Sequence, residues 1–366
     1  MRLHNTNISA IMHKLFIELL QVSLGLKSEM SVAPSIDQWK QICIISSKQA
    51  LLGVAFSGVE KLPKDQRPPY EILSKWIASV VRIEQCNKLL NTRVGELAKV
   101  CAEHNVQSRL LKGQGVATLY PNPLRRQAGD IDLWVRGSIS ETIDAFRQIS
   151  PLDEICHHHA HCHLFSDTII EIHFHPSWMY SPITNKRLRK FFSLKEDSQF
   201  GNFNKTLGVN VTDVSFDLVF SAVHIYRHLF TEGIGLRQLL DYYYILTHST
   251  QEQRVEAFHM LSSLKMEKFV SALMFVQQKI FLLPDEFCLT APNAKVGNFL
   301  LDEISLAGNF GQYDSRIRWR NKSPLSVFFN KFAHNFRFLK YFPSEVLWAP
   351  FWKIWHFLWR RVKGYK

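Results

Sequence analysis

Asp130-Ile131-Asp132-Leu133-Trp134-Val135 is the stretch from which the rest of the chain can be read. In an extended strand alternate side chains point to opposite faces, so Asp130 and Asp132 share one face while Ile131, Leu133 and Val135 back onto a core. Ile169-Ile170-Glu171-Ile172-His173 repeats the arrangement, with Glu171, His173 and His175 on one side and Ile170, Ile172 and Phe174 on the other. Upstream, Leu110-Leu111-Lys112-Gly113-Gln114-Gly115 reads as the end of a short buried strand running into a glycine-bearing turn. Three carboxylates on two apolar-backed strands, after a turn that carries a lysine, are the parts needed to hold Mg²⁺ and a triphosphate.

Outward from that core the pattern is helical. Residues 8 to 58 predict two or three amphipathic helices, and the prolines between Lys61 and Tyr70 break them from one long helix over Ser74 to about His104, closed by a left-handed Asn105. Val106 to Leu111 is then a strand, Gln114 to Tyr120 a short helix, and Ser138 to Ile149 a helix whose Ser138 and Glu141 form a capping box. Thr206 to Val211 predicts a further strand, Asp213 starts another helical region, and helix continues to about Leu283. The fold class expected is α+β: a small mixed β-sheet core flanked by N-terminal and C-terminal helical regions. The boundaries expected are 1–104 for an N-terminal helical region, 105–211 for the α/β core, 212–314 for a helical domain and 315–366 for a basic aromatic C-terminal segment.

Residues 155 to 165 and 168 to 175 predict a hairpin with a three-residue loop. Pairing Leu164 with Ile170, Cys162 with Ile172 and Ala160 with Phe174 gives one wholly apolar face, and sets His163, His161 and His159 across from Glu171, His173 and His175. The run His157-His158-His159, His161, His163 admits three readings: a transition-metal site with Glu171, contacts to phosphate, or ordinary strand histidines. His224 and His228, four apart on one helix face as a metal pair would be but with no HExxH glutamate beside them, are expected to pack, and Arg237 with Asp241 most simply forms a helix-surface ion pair.

The net charge of +12 is unevenly placed. From Ser315 onward twelve Lys and Arg face one acid, Glu345, so the remainder is nearly neutral and a nucleic-acid acceptor is disfavoured. A hydrophobic share of 46% with 21% charged residues excludes a disordered chain. Six cysteines form no CxxC pair and the N-terminus shows no secretory pattern, which points to a reducing, cytoplasmic setting.

Leu111-Lys112-Gly113, Tyr120, Arg126, Asp130-Ile131-Asp132-Leu133 and Glu171-Ile172-His173 resemble the polymerase-beta-type nucleotidyltransferase superfamily, and more closely a bacterial family of nucleotidyltransferases met beside polysaccharide-assembly genes. Gly233-Ile234-Gly235-Leu236-Arg237-Gln238-Leu239-Leu240-Asp241 resembles that family's helical part, which implies cleft-lining as the second reading of Arg237 and Asp241. The resemblance implies a mixed sheet with two acids on one strand and a third on its neighbour. It departs in that the usual glycine-serine pair is Gly113-Gln114. Nucleotidyl transfer with two Mg²⁺ is the expected chemistry, with Asp130, Asp132 and Glu171 as catalytic metal ligands and with Lys112, Gly113, Gln114, Arg126 and His173 binding the nucleoside triphosphate. The acceptor is an unknown hydroxyl or phosphate. A non-catalytic nucleotide-binding scaffold at the membrane is the alternative.

Trp348, Trp352, Trp355 and Trp359 fall on one helical face, with a helix start expected at Pro350 and with Arg360, Arg361, Lys363 and Lys366 after the last of them. This segment is too short to span a bilayer. Residues 343–366 are open to three uses: peripheral contact with the inner face of a membrane, packing on the protein's own core, or contact with nucleic acid.

Overall fold

The computed structural model describes residues 14–308 and 324–365. Helix α1 (14–23), α2 (Ile36–Lys48), α3 (Leu52–Lys61) and the long α4 (Tyr70–Glu103) precede the sheet. Ile8 and Ile11, at the start of the span expected to be helical, lie outside the described residues. Asn105 closes α4 with φ +56°, the left-handed residue that its small polar side chain tolerates.

Strand β1 (Ser108–Leu110) leads through a turn into α5 (Gly113–Ala117), then β2 (Ile131–Val135), α6 (Ile139–Ile149), β3 (Leu152–Asp153), β4 (His159–Cys162) and β5 (Ile170–His173). The capping box on α6 is formed: the Glu141 amide donates to Ser138 Oγ at 3.3 Å and the Ser138 amide to Glu141 Oε2 at 2.8 Å. The five strands lie in the order β1-β2-β5-β4-β3, with β2 and β5 parallel and the other pairs antiparallel. The fold is therefore α+β around a small mixed sheet.

The hairpin register differs from the expected one. Cys162 pairs with Ile170, Ala160 with Ile172, His161 with Glu171 and His159 with His173, a slip of two residues. A slip of two preserves the faces, because side chains alternate with period two, so the apolar side stays apolar. The connection is longer than three residues because it is held from outside the hairpin: Arg93 of α4 binds Asp167, and the His163 amide reaches Pro151. The sequence also hid β3, whose Asp153 takes His163 at 2.8 Å.

Helices α7 (Pro182–Phe200), α8 (Val214–Thr231), α9 (Leu236–Thr247), α10 (Gln251–Ser263), α11 (Glu267–Phe281), α12 (Ala294–Ala307), α13 (Pro324–Phe336) and α14 (Pro343–Lys363) complete the chain. A two-stranded ribbon, β6 (Phe203–Asn204) and β7 (Val209–Asn210), stands where one strand was expected, and Asp213 caps α8 as read. Proline 350 does not start α14: Pro343 occupies the first turn and Pro350 lies inside the helix, which loses a single backbone bond there.

Two buried layers fix the sheet. Ile131, Leu133, Val135, Ile170 and Ile172 pack against Leu90, Val94 and Leu97 of α4. On the opposite side Trp134 stacks on Phe216 of α8, with ring centroids 5.6 Å apart. The aspartates on that side thus look into a cleft between the sheet and α8. The larger core runs from Leu15 through α8, α9 and α11 to Val346 and Ala349 of α14. No helix among the described residues is long and apolar enough to cross a membrane.

Candidate functional site

Parallel pairing of β2 with β5 sets Asp132 opposite Glu171. Asp130, Asp132 and Glu171 each present an oxygen within 4.8 Å of the others, so the acid that precedes β2, the one on it and the one on β5 converge. Asp132 is buried. Its Oδ1 takes Lys112 Nζ at 3.0 Å and His173 Nε2 at 2.9 Å, while Oδ2, equally buried, accepts no hydrogen bond. An orphaned carboxylate oxygen beside two further acids fits a hard divalent cation, for which carboxylate oxygens are the preferred ligands.

The turn that brings Lys112 here is strained: Lys112 has φ +36° and Gly113 φ +52°. Two successive left-handed residues are costly, and only the second position is eased by glycine. The ion pair with Asp132 holds Lys112 in place. Burial works against the Lys112 charge, but the negative charges of Asp132, Asp130 and Glu171 outweigh it and hold the ammonium well above its ordinary range. The same balance pushes His173 up to about 9, since its bonds to Asp132 and Glu171 overcome burial. Glu171 is held well below the usual carboxylate range despite its burial by His173, His159 and Lys112.

Of the expected nucleotide-binding residues, Lys112, Gly113, Arg126 and His173 line this cleft, but Gln114 does not: its side chain is turned to Asn91 on α4. Arg126 is also bound elsewhere. Its Nε and Nη2 donate to the two oxygens of Asp241 at 2.7 and 2.8 Å, and Tyr120 Oη gives Asp241 a third bond at 2.6 Å. Of the two expectations for Arg237 and Asp241, the cleft is where they stand rather than the helix surface: Arg237 is buried and its Nη1 reaches the Gln127 carbonyl at 3.0 Å, while Asp241 takes Arg126. Arg237, Asp241 and Gln238 all line the cleft.

The histidines sort by strand face. His159 and His161 stand beside Glu171 at 3.7 and 3.6 Å, and ligand atoms of His159, Glu171 and His173 also lie within 4.8 Å of one another. Burial lowers His159 to about 4 and keeps it neutral. His157 turns away to Trp178 and Trp352. His224 and His228, expected to be packing residues, instead form a cleft wall: His224 Nε2 lies 3.4 Å from Lys112 Nζ and 2.9 Å from His228 Nε2. Burial, helped by the Lys112 charge, holds His224 well below the ordinary imidazole value. Their four-residue spacing was the only sequence signal for this role. Trp178 and Arg227, which line the cleft's 340 Å³ outer part, gave none.

A family model described as an uncharacterised nucleotidyltransferase matches residues 35–281. No curated protein matches the chain. Among solved structures, one titled the complex structure of CCA-adding enzyme with ATP shares 13% identity over 72% of this chain and 77% of that one, with a TM-score of 0.19, too low to bear on function.

Proposed function

The chain belongs to the uncharacterised nucleotidyltransferase family, and from that premise we propose that it moves a nucleoside monophosphate from an NTP to an acceptor hydroxyl or phosphate in a Mg²⁺-dependent reaction. The observation that carries the reading is the convergence of Asp130, Asp132 and Glu171 on one cleft wall, with a buried, unbonded oxygen on Asp132. These three residues would hold two Mg²⁺, which supply electrostatic stabilisation to the charge shared by the attacking and leaving oxygens.

The protein's own groups have distinct parts. Lys112 stands at the edge of the acids and offsets charge on the leaving pyrophosphate; Gly113 lets the backbone approach the phosphates without a side chain. Arg126 is a positioning residue: with its charge taken by Asp241, it holds the loop before β2 against α9. His173, on the same face of β5 as Glu171, holds Asp132 at 2.9 Å and Glu171 at 3.3 Å. The reaction then takes place in the cytoplasm, where nucleoside triphosphates are made, and its acceptor is among glycan precursors of surface polysaccharide, on the strength of the resemblance in Leu111-Lys112-Gly113 and Glu171-Ile172-His173.

One observation favours a second reading, a nucleotide-binding scaffold without catalysis: Lys112 and His173 already neutralise Asp132 Oδ1. Incubation with each labelled NTP and Mg²⁺ separates the two. Mg²⁺-dependent pyrophosphate release that falls at least about 100-fold in Asp130→Asn supports transfer. Release that is equal in the variant removes the proposed role of the acids.

A further inference from the structure

Helix α14 has two opposed faces. At about 3.6 residues per turn, Glu345, Ala349, Trp352 and His356 lie along one side, and this side is docked on the protein. Trp352 stacks on Trp178 with centroids 3.9 Å apart. Glu345 is fully sequestered: it accepts the amides of Tyr180 and Ser181 and pairs with Arg227 at 3.0 Å.

The other side is apolar and open. Leu347, Phe351, Ile354, Trp355, Leu358 and Val362 are between 46 and 85% exposed. Helical spacing gathers all six within an arc of about 100°. A helix normally turns such a stripe to the core; here the core side is already filled by a different set of residues, so the outer stripe serves something outside the described chain. Its border identifies the occupant. Arg360, Arg361 and Lys363 end the helix, and its single acid is the buried Glu345, so the exposed surface is uniformly apolar and cationic.

We propose that α14 is a peripheral membrane-docking element whose outer face enters the headgroup region of an anionic bilayer. Aliphatic side chains, the Phe351 ring and the Trp355 indole at the helix surface enter the acyl boundary, and the terminal cations meet anionic lipid. Nucleic acid is bound by stacking bases on aromatic rings beside cations, whereas four of the six stripe residues, Leu347, Ile354, Leu358 and Val362, are aliphatic and suit acyl chains better than bases. Because the inner face of α14 touches Trp178 and Arg227 of the cleft, docking brings the cleft mouth near the lipid surface.

The test is co-sedimentation of the full chain with vesicles of neutral phosphatidylcholine and with vesicles containing phosphatidylglycerol. Wild type is expected to bind the anionic vesicles, less so at high salt, and Phe351→Asp/Leu358→Asp to lose at least about tenfold in affinity. Both positions are exposed, and circular dichroism of the double variant checks that it folds. Arg361→Glu/Lys363→Glu should weaken binding only to the anionic vesicles. Equal binding by wild type and the apolar double variant overturns the proposal. So does a wild type that ignores both vesicles, whether it self-associates through this face in sedimentation velocity or not. Nucleotide turnover without lipid is not the readout, so failure here leaves the catalytic reading standing.

Discussion

Asp217 sits on α8 with its carboxyl buried and one bond, from Thr212 Oγ1 at 2.7 Å. Burial, with Asp213 and Asp241 adding to it, raises this group to about 7. A folded-state value above the unfolded one means that the folded chain holds the proton more tightly. Its favourable contribution is complete below about pH 4 and is lost as pH rises through about 7. Asp217→Asn keeps the acceptor for Thr212 and removes the titration. The difference in urea midpoint between variant and wild type should therefore grow in the variant's favour from pH 4 to 8; a constant difference would contradict the burial argument. Nothing in the sequence marks Asp217, because its character comes from what packs over it. Asp130, Asp132 and Glu171 were legible for the opposite reason: alternation along a strand is local, and it dictates which face each acid takes. Arg126 was legible as a cleft residue but not as one already bound, since its partner Asp241 lies 115 positions away.

Among the elements, those set by local signals appear where the sequence put them: α4 ended by Asn105, α6 with its Ser138 box, α8 capped by Asp213. The β4–β5 register went astray by two because a contact from α4, Arg93 to Asp167, shapes the turn, and hydrophobic alternation cannot tell registers that differ by an even number. The loop before β2 is tied to α9 in the same long-range way, by Arg126, Asp241 and Tyr120. Breaking such a buried pair leaves an uncompensated charge. Arg126→Met should cost about 3–5 kcal/mol of stability in urea unfolding. A loss below about 1 kcal/mol would mean that the bond is a surface-like pair with no structural weight.

Across the whole molecule, charge and core are divided in complementary ways. The excess of Lys and Arg lies after residue 315, whereas the acids that matter converge in the middle of the chain. Composition gave the first division; the second needed a parallel pairing of β2 with β5 that only the closed fold supplies. Helix α14 links the two, its inner face against the cleft wall and its outer face exposed among the described residues. Nucleotidyl transfer in this cleft requires that Asp130, Asp132 and Glu171 bind divalent cation together with nucleotide. Electron paramagnetic resonance of Mn²⁺ titrated into the protein, with and without a non-hydrolysable NTP, measures this most directly. Wild type should bind Mn²⁺ more tightly when the nucleotide is present, and Asp132→Asn, checked as folded by circular dichroism, should lose at least about tenfold in affinity. Mn²⁺ binding that is unchanged in the variant and indifferent to nucleotide would contradict it.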